Sequence, residues 1–170
     1  MNADELRSAQ APLKEKYRRD PDSALVTLRA KGRLGEGITC KLETRKALLE
    51  VGLHPATAGD GSSACSGDML LEALVACAGV TLGAVATALG IPLRDAVVRA
   101  EGDLDFRGTL GVSREVPVGF QRIRLHFDLD TEATEEQLAS LLRLTERYCV
   151  VYQTLSRPAK IDVAHRVVTG

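Results

Sequence analysis

Apolar and polar positions change period several times along this 170-residue chain, and each change marks an element. Residues 3–20 are polar with sparse apolar positions at Leu6, Leu13 and Tyr17, which predicts an N-terminal helical arm interrupted at Pro12 and closed at Pro21. From Ala24 to Ala30 the period shortens to two, with Val26 and Leu28 alternating with Thr27 and Arg29. After the turn Gly32 to Gly37, residues Ile38, Cys40 and Leu42 alternate with Thr39, Lys41 and Glu43, so the two runs read as a hairpin. A third short strand is expected over 46–51, and a long turn-rich loop over 52–67.

The longest apolar run, Asp68 to Leu89, stops at Gly90 and Pro92 and reads as a helix that is apolar nearly all round. Such a helix is buried at the centre of a domain or at a subunit interface. Gly79 and Gly83 leave one face almost bare, where another helix could come close. The run is long enough to span a bilayer, but Glu72 lies inside it, its bulk is Ala, Gly, Val and Thr, and no basic flank follows. A membrane role is therefore not expected. Two more alternating strands come next, with Val98, Ala100, Leu104 and Phe106 on one face of the first and Ile123, Leu125, Phe127 and Leu129 on one face of the second. Thr134 and Gln137 fit a capping box for a helix with apolar positions Leu138, Leu141, Leu142, Thr145, Tyr148 and Cys149, which sets Cys149 toward the core in the last turn. A final strand is expected from Ile161 to Val168. Without a regular βαβ repeat the class is α+β, a mainly antiparallel sheet around a long buried helix, with an arm over 1–22 and one domain over 23–170.

Composition narrows the function. Apolar content of 45% is that of an ordinary globular domain, and 22 Lys plus Arg against 23 Asp plus Glu leave no basic footprint for nucleic acid. With no Trp and only three Phe and three Tyr, few rings are available to stack bases. Charge at Asp4, Glu5 and Arg7 replaces the apolar core of a signal peptide, which predicts a reducing cytoplasm and four free thiols. No Cys-x-x-Cys occurs, and His54, His126 and His165 lack partners at ligand spacing, so a metal site is not expected. Free cysteine usually packs as a small hydrophobe, and Cys40 fits that reading on its strand. Cys65 sits in the loop before the helix, Cys77 inside the helix and Cys149 at the end of the second helix.

The run from Ser66 through Cys77 to Leu82, taken with the run from Arg147 through Cys149 to Leu155, resembles the paired cysteine motifs of the OsmC/Ohr family, the osmotically inducible and organic hydroperoxide resistance proteins. The resemblance covers roughly Ala24 to Val168. It implies an OsmC-like fold, an intertwined homodimer with the long helices buried and thiol sites between subunits, and a cysteine-based peroxidase of organic hydroperoxides that needs no metal, haem or other cofactor. In that reading Cys77 is the peroxidatic residue and Cys149 the resolving one, with a small or protein dithiol as reductant. A free thiol has a pKa of about 8.5, so a buried one needs a cation or hydrogen-bond donors to ionise near neutral pH. Arg33, in Lys31 to Gly35, is the best match to the family's glycine-flanked arginine in the first strand-to-strand turn.

Two positions depart from the family pattern. The glutamate of the organic hydroperoxide branch, ten residues before the first cysteine, is Gly67 here; Asp68 is the nearest substitute and is equally placed to cap the helix. Glu72 lies about 140° round the helix from Cys77 and should not face it. Val150 stands where the family often has proline after the second cysteine. These departures point to the broader OsmC-like group, and they keep open a non-catalytic alternative that binds an apolar small molecule at the dimer interface. Cys65 could also replace Cys149 as the resolving partner.

Overall fold

A computed structural model describes residues 2–5, 8, 11, 19, 31–34, 39–43, 48–57, 59–111 and 113–168; in the strands before Glu50 the backbone alone is described. Ala3 to Glu5 are helical, but most of the expected N-terminal arm and all of the expected strand over 24–30 lie outside the described residues.

The first sheet has four strands in the order β1-β2-β3-β4. β1 (Lys31–Leu34), in the stretch read as a turn, pairs antiparallel with β2 (Thr39–Glu43), with Leu34 opposite Cys40. Arg33 therefore lies in β1 opposite Lys41 and not in a turn. β3 (Leu48–Gly52) pairs antiparallel with β2, and β4 (Ala64–Cys65) pairs parallel with β3. Between them the loop folds back at Pro55–Thr57, where the Gly59 N–H donates to the His54 carbonyl. A Cβ at Gly59 would lie 1.8 Å from the Leu53 carbonyl oxygen, which only glycine avoids.

The long helix, α1 (Ser66–Leu89), begins at Cys65 and not at Asp68: Cys65 is its N-cap, although its side chain makes no capping bond. At the other end Gly90 adopts the left-handed conformation (φ 68°) and donates to the carbonyls of Ala86 and Thr87. The apolar composition predicts burial all round, yet α1 buries one side only: Leu74, Ala78, Leu82, Val85 and Ala86 at helical spacing. Val80 is 78% exposed, and Glu72 also faces outward. By length and composition alone α1 is the one helix among the described residues that could cross a membrane.

β5 (Asp95–Asp103) and β6 (Arg122–Asp130) form a separate two-stranded antiparallel sheet, from Asp95 opposite Asp130 to Asp103 opposite Arg122. Val98, Phe127 and Leu129 pack toward the core cluster of Leu82, Val85, Ala86, Ile91 and Leu141. Leu104 and Phe106 lie beyond the strand that the alternation predicts for them. Asp105 stops the strand by accepting from the Arg107 N–H and capping a single helical turn, Phe106–Thr109, and the Phe106 ring stacks on His54 at 5.0 Å.

The second helix, α2 (Glu135–Tyr148), opens on the predicted capping box: Thr134 Oγ1 accepts from the Gln137 N–H at 3.3 Å, and Gln137 Oε1 accepts from the Thr134 N–H at 2.9 Å. Leu141, fully buried, ties α2 to α1. Leu141→Ala is expected to cost about 3 kcal/mol, since the lost methyl groups leave a cavity that packed helices cannot collapse. Urea unfolding checks this, and an unchanged midpoint would contradict the core assignment.

A short third helix, α3 (Val150–Ser156), follows after a break at Cys149. The strand expected over 161–168 does not form. Residues 158–168 have no regular structure and are all exposed, and no sheet edge among the described residues receives them.

Candidate active site around Cys77 and Cys149

Cys149 ends one helix and starts the next. Its N–H still donates to the Thr145 carbonyl at 2.9 Å, but its backbone is extended (φ −72°, ψ 109°), so α2 stops there. Its sulfur then accepts from the Tyr152 N–H at 3.5 Å, doing for α3 what a serine hydroxyl does at an N-cap. The residue is 1% exposed. This junction turns the first amides of α3 toward α1, where Cys77 sits half-buried beside the core residue Ala78.

The two thiols are in hydrogen-bonding contact, and their surroundings push their acidities in opposite directions. Burial alone would raise the Cys77 pKa. Hydrogen bonding from the Val151 N–H, the Cys149 thiol and the Val150 N–H outweighs that burial, so the Cys77 pKa falls below its ordinary value. Thr81 adds to the same effect; its hydroxyl donates to the Cys77 carbonyl at 2.7 Å and lies within reach of the sulfur. For Cys149, burial raises the pKa, and the neighbouring Cys77 sulfur raises it further despite the Tyr152 N–H. Cys77 is thus the more acidic thiol of the pair and Cys149 the less acidic one.

The other residues singled out in the sequence are arranged differently. The Arg33 side chain lies outside the described residues. Asp68, nine residues before Cys77, is about 180° round α1 from it. The Asp68 side chain is exposed and lines an outer cleft with His54, Cys65 and Glu72. A side chain at Gly67 would meet the Cys65 sulfur, Leu104 and Phe120 at 3.6 to 3.7 Å, so a glutamate there would enter an apolar setting in this chain. Cys65 is half-buried beside that spot, and Cys40 is in β2 opposite Leu34. Sequence reading missed the backbone donors of Val150 and Val151. Their only advance sign was the absence of proline at 150, where proline would have no N–H to offer.

A cavity of about 480 Å³ opens between α1, β6 and α3, on the elements that carry the thiols, although neither sulfur lines it. Leu74, one turn before Cys77, lines it together with Phe120, Leu125, Phe127, Leu155 and Tyr152. Its wall is mixed: Gln121, Arg122, Glu146 and Ser156 line it beside the apolar side chains.

The sequence model of one family, described as OsmC-like protein, matches residues 59–164, which hold both cysteines and every element from β4 to α3. The chain belongs to the OsmC family. No curated protein matches it significantly. Among solved structures, the OsmC-like protein of Mycoplasma pneumoniae superposes with a TM-score of 0.65 at 17% identity, covering 78% of this chain and 89% of that one. The organic hydroperoxide resistance protein OsmC of Legionella pneumophila gives 0.61 at 18% identity, with 78% and 91% covered. An organic hydroperoxide resistance protein of Elizabethkingia anophelis gives 0.60 at 18% identity, with 79% and 90% covered. The OsmC fold accounts for the architecture: an α+β molecule whose long helix carries one cysteine and whose following helix pair carries the other.

Proposed function

We propose that this OsmC-family protein is a thiol-dependent peroxidase of organic hydroperoxides, acting in oxidative stress defence as a homodimer. The observation that carries the proposal is the placement of two free thiols, Cys77 on α1 and Cys149 at the junction of α2 and α3 packed against it, in surroundings that shift their acidities in opposite directions. The Cys77 thiolate attacks the outer oxygen of ROOH, the O–O bond breaks, and RO⁻ takes a proton to leave as the alcohol while Cys77 becomes the sulfenic acid. Cys149 then attacks that sulfur, water leaves, and a Cys77–Cys149 disulfide forms. A dithiol reductant restores both thiols by exchange, becoming a disulfide itself. The cavity beside Leu74 suits the organic part of the substrate. The apolar outward side of α1, with Val80 at its centre, supports a second copy as its cover.

In this reading the amides of Val150 and Val151 contribute to the activation of Cys77. Val150→Pro tests that directly. Proline fits the first position of a helix, and the extended Cys149 backbone suits a residue preceding proline, so the fold is kept while one donor is removed. Losing a donor to the thiolate raises the Cys77 pKa. Less thiolate is then present at neutral pH, so alkylation by iodoacetamide slows by about three- to tenfold, and the two proteins converge at alkaline pH. Equal rates across the whole pH range would remove Val150 from the activation.

Steady-state assay with cumene hydroperoxide, hydrogen peroxide and a small dithiol tests the function. Turnover of the organic peroxide, faster than that of hydrogen peroxide, is the expected outcome; no turnover of either, with Cys77 titrating like an ordinary thiol, would favour a protein that binds an apolar molecule in the 480 Å³ cavity without chemistry.

A further inference from the structure

Three arginines meet where α2 and α3 lie side by side. Arg143 and Arg147 stand one turn apart on α2, Arg157 ends α3, and together they line a cleft of about 550 Å³. Like charges four residues apart on a helix repel, so this spacing costs stability instead of adding to it. Arginines elsewhere in the molecule have partners: Arg94 pairs with Asp130 and Glu132, Arg99 with Asp128, and Arg124 with Glu101 and Asp103. Among the described residues no carboxylate pairs with any of the three in the cleft.

Glu146 lines the same cleft, but it serves to join its walls. Its carboxylate accepts from the Tyr152 hydroxyl at 3.4 Å, and its carbonyl accepts from Gln153 Nε2 at 2.8 Å. Both bonds tie α3 to α2, so the cleft is held open in shape before any ligand arrives. Three guanidiniums against one carboxylate leave an excess of two positive charges. Guanidinium forks match the paired oxygens of an oxyanion. A phosphate monoester, which carries about −1.5 to −2 charges at neutral pH, balances that excess, whereas a single carboxylate leaves about half of it uncompensated. The cleft also adjoins the 480 Å³ cavity: Glu146, Tyr152 and Ser156 line both, and Leu74, Leu125 and Phe127 give the cavity its apolar side chains. A charged head and an apolar body have neighbouring settings here.

We propose that the cleft between α2 and α3 binds the phosphate head of a single-chain phosphate ester, whose chain lies in the adjoining cavity. Neither cysteine lines the cleft, so the site is distinct from the thiol pair and does not rest on the peroxidase reading.

Calorimetric titration of the full chain with inorganic phosphate, octyl phosphate and octanol, at low salt and without peroxide, separates head from chain. Octyl phosphate is expected to bind about tenfold or more tighter than either of the other two. Arg143→Gln and Arg147→Gln together keep good helix formers on α2 and remove two forks, and octyl phosphate should then bind about tenfold or more weaker. Arg114→Gln, at an exposed arginine outside the cleft, should leave binding unchanged. If the double variant loses its helical circular dichroism, Arg157→Gln, beyond the last turn of α3, carries the same test. Inorganic phosphate binding as tightly as octyl phosphate would reduce the cleft to a free-anion site and overturn the ester; octanol binding as tightly would remove the role of the head. Undiminished binding of octyl phosphate to the folded arginine variants, or no binding to the unaltered protein, would overturn the site itself. The peroxidase reading stands or falls on turnover, which none of these titrations measures.

Discussion

With Cys77 replaced by serine, organic hydroperoxide turnover is expected to fall by about three orders of magnitude, to background. Serine matches the thiol in size, so the half-buried position on α1 is kept and thermal unfolding should scarcely change. Its hydroxyl ionises far above the reach of the donors from Val151, Cys149 and Val150, so no nucleophile is present at neutral pH. A Cys77→Ser protein that keeps a substantial part of the activity would place the chemistry elsewhere, with Cys65 the first thiol to examine.

The second large effect separates the two sulfurs. In Cys149→Ser the first turnover is expected to proceed, because the thiolate and both α3 amides remain and serine can also donate a hydrogen bond. The sulfenic acid then has no buried thiol to condense with. Steady-state turnover with a dithiol should drop by about a hundredfold, dimedone should label Cys77 after one equivalent of peroxide, and excess peroxide should carry it on to the sulfinic acid. If Cys149→Ser turns over at the full rate, Cys149 is not the resolving residue.

Much of this arrangement was legible in the residue pattern. α1, the β5–β6 pair and the capped α2 each have a strong period or a capping pair, and such local signals survive in the fold. The family's two cysteines were legible too, as motifs. Their activation was not, because it depends on where the chain breaks. Cys149 reads as the last apolar position of an amphipathic helix, and nothing in that period shows that its backbone turns extended and its sulfur caps a further helix. Amides carry no sequence label, so donors at Val150 and Val151 could be seen only once α3 was placed against α1. Arg33 was read in a turn because glycines flank it; its backbone lies in β1 opposite Lys41, and its side chain is outside the described residues. Asp68 was offered two roles, and Cys65 holds the N-cap in its place. Misreadings of burial share one cause. The apolar runs of α1 and of 161–168 do mark surfaces that avoid water, but nothing among the described residues covers them.

The account stands on Cys77 and Cys149 forming one redox pair. Intact-mass analysis after one equivalent of an alkyl hydroperoxide, followed by proteolysis without reductant, measures that most directly. A protein lighter by two hydrogens, with Cys77 and Cys149 in a single linked peptide pair and with the change absent in Cys77→Ser and Cys149→Ser, is the predicted result; a mass indifferent to peroxide, or a bridge that joins Cys77 to Cys65 instead, would contradict it.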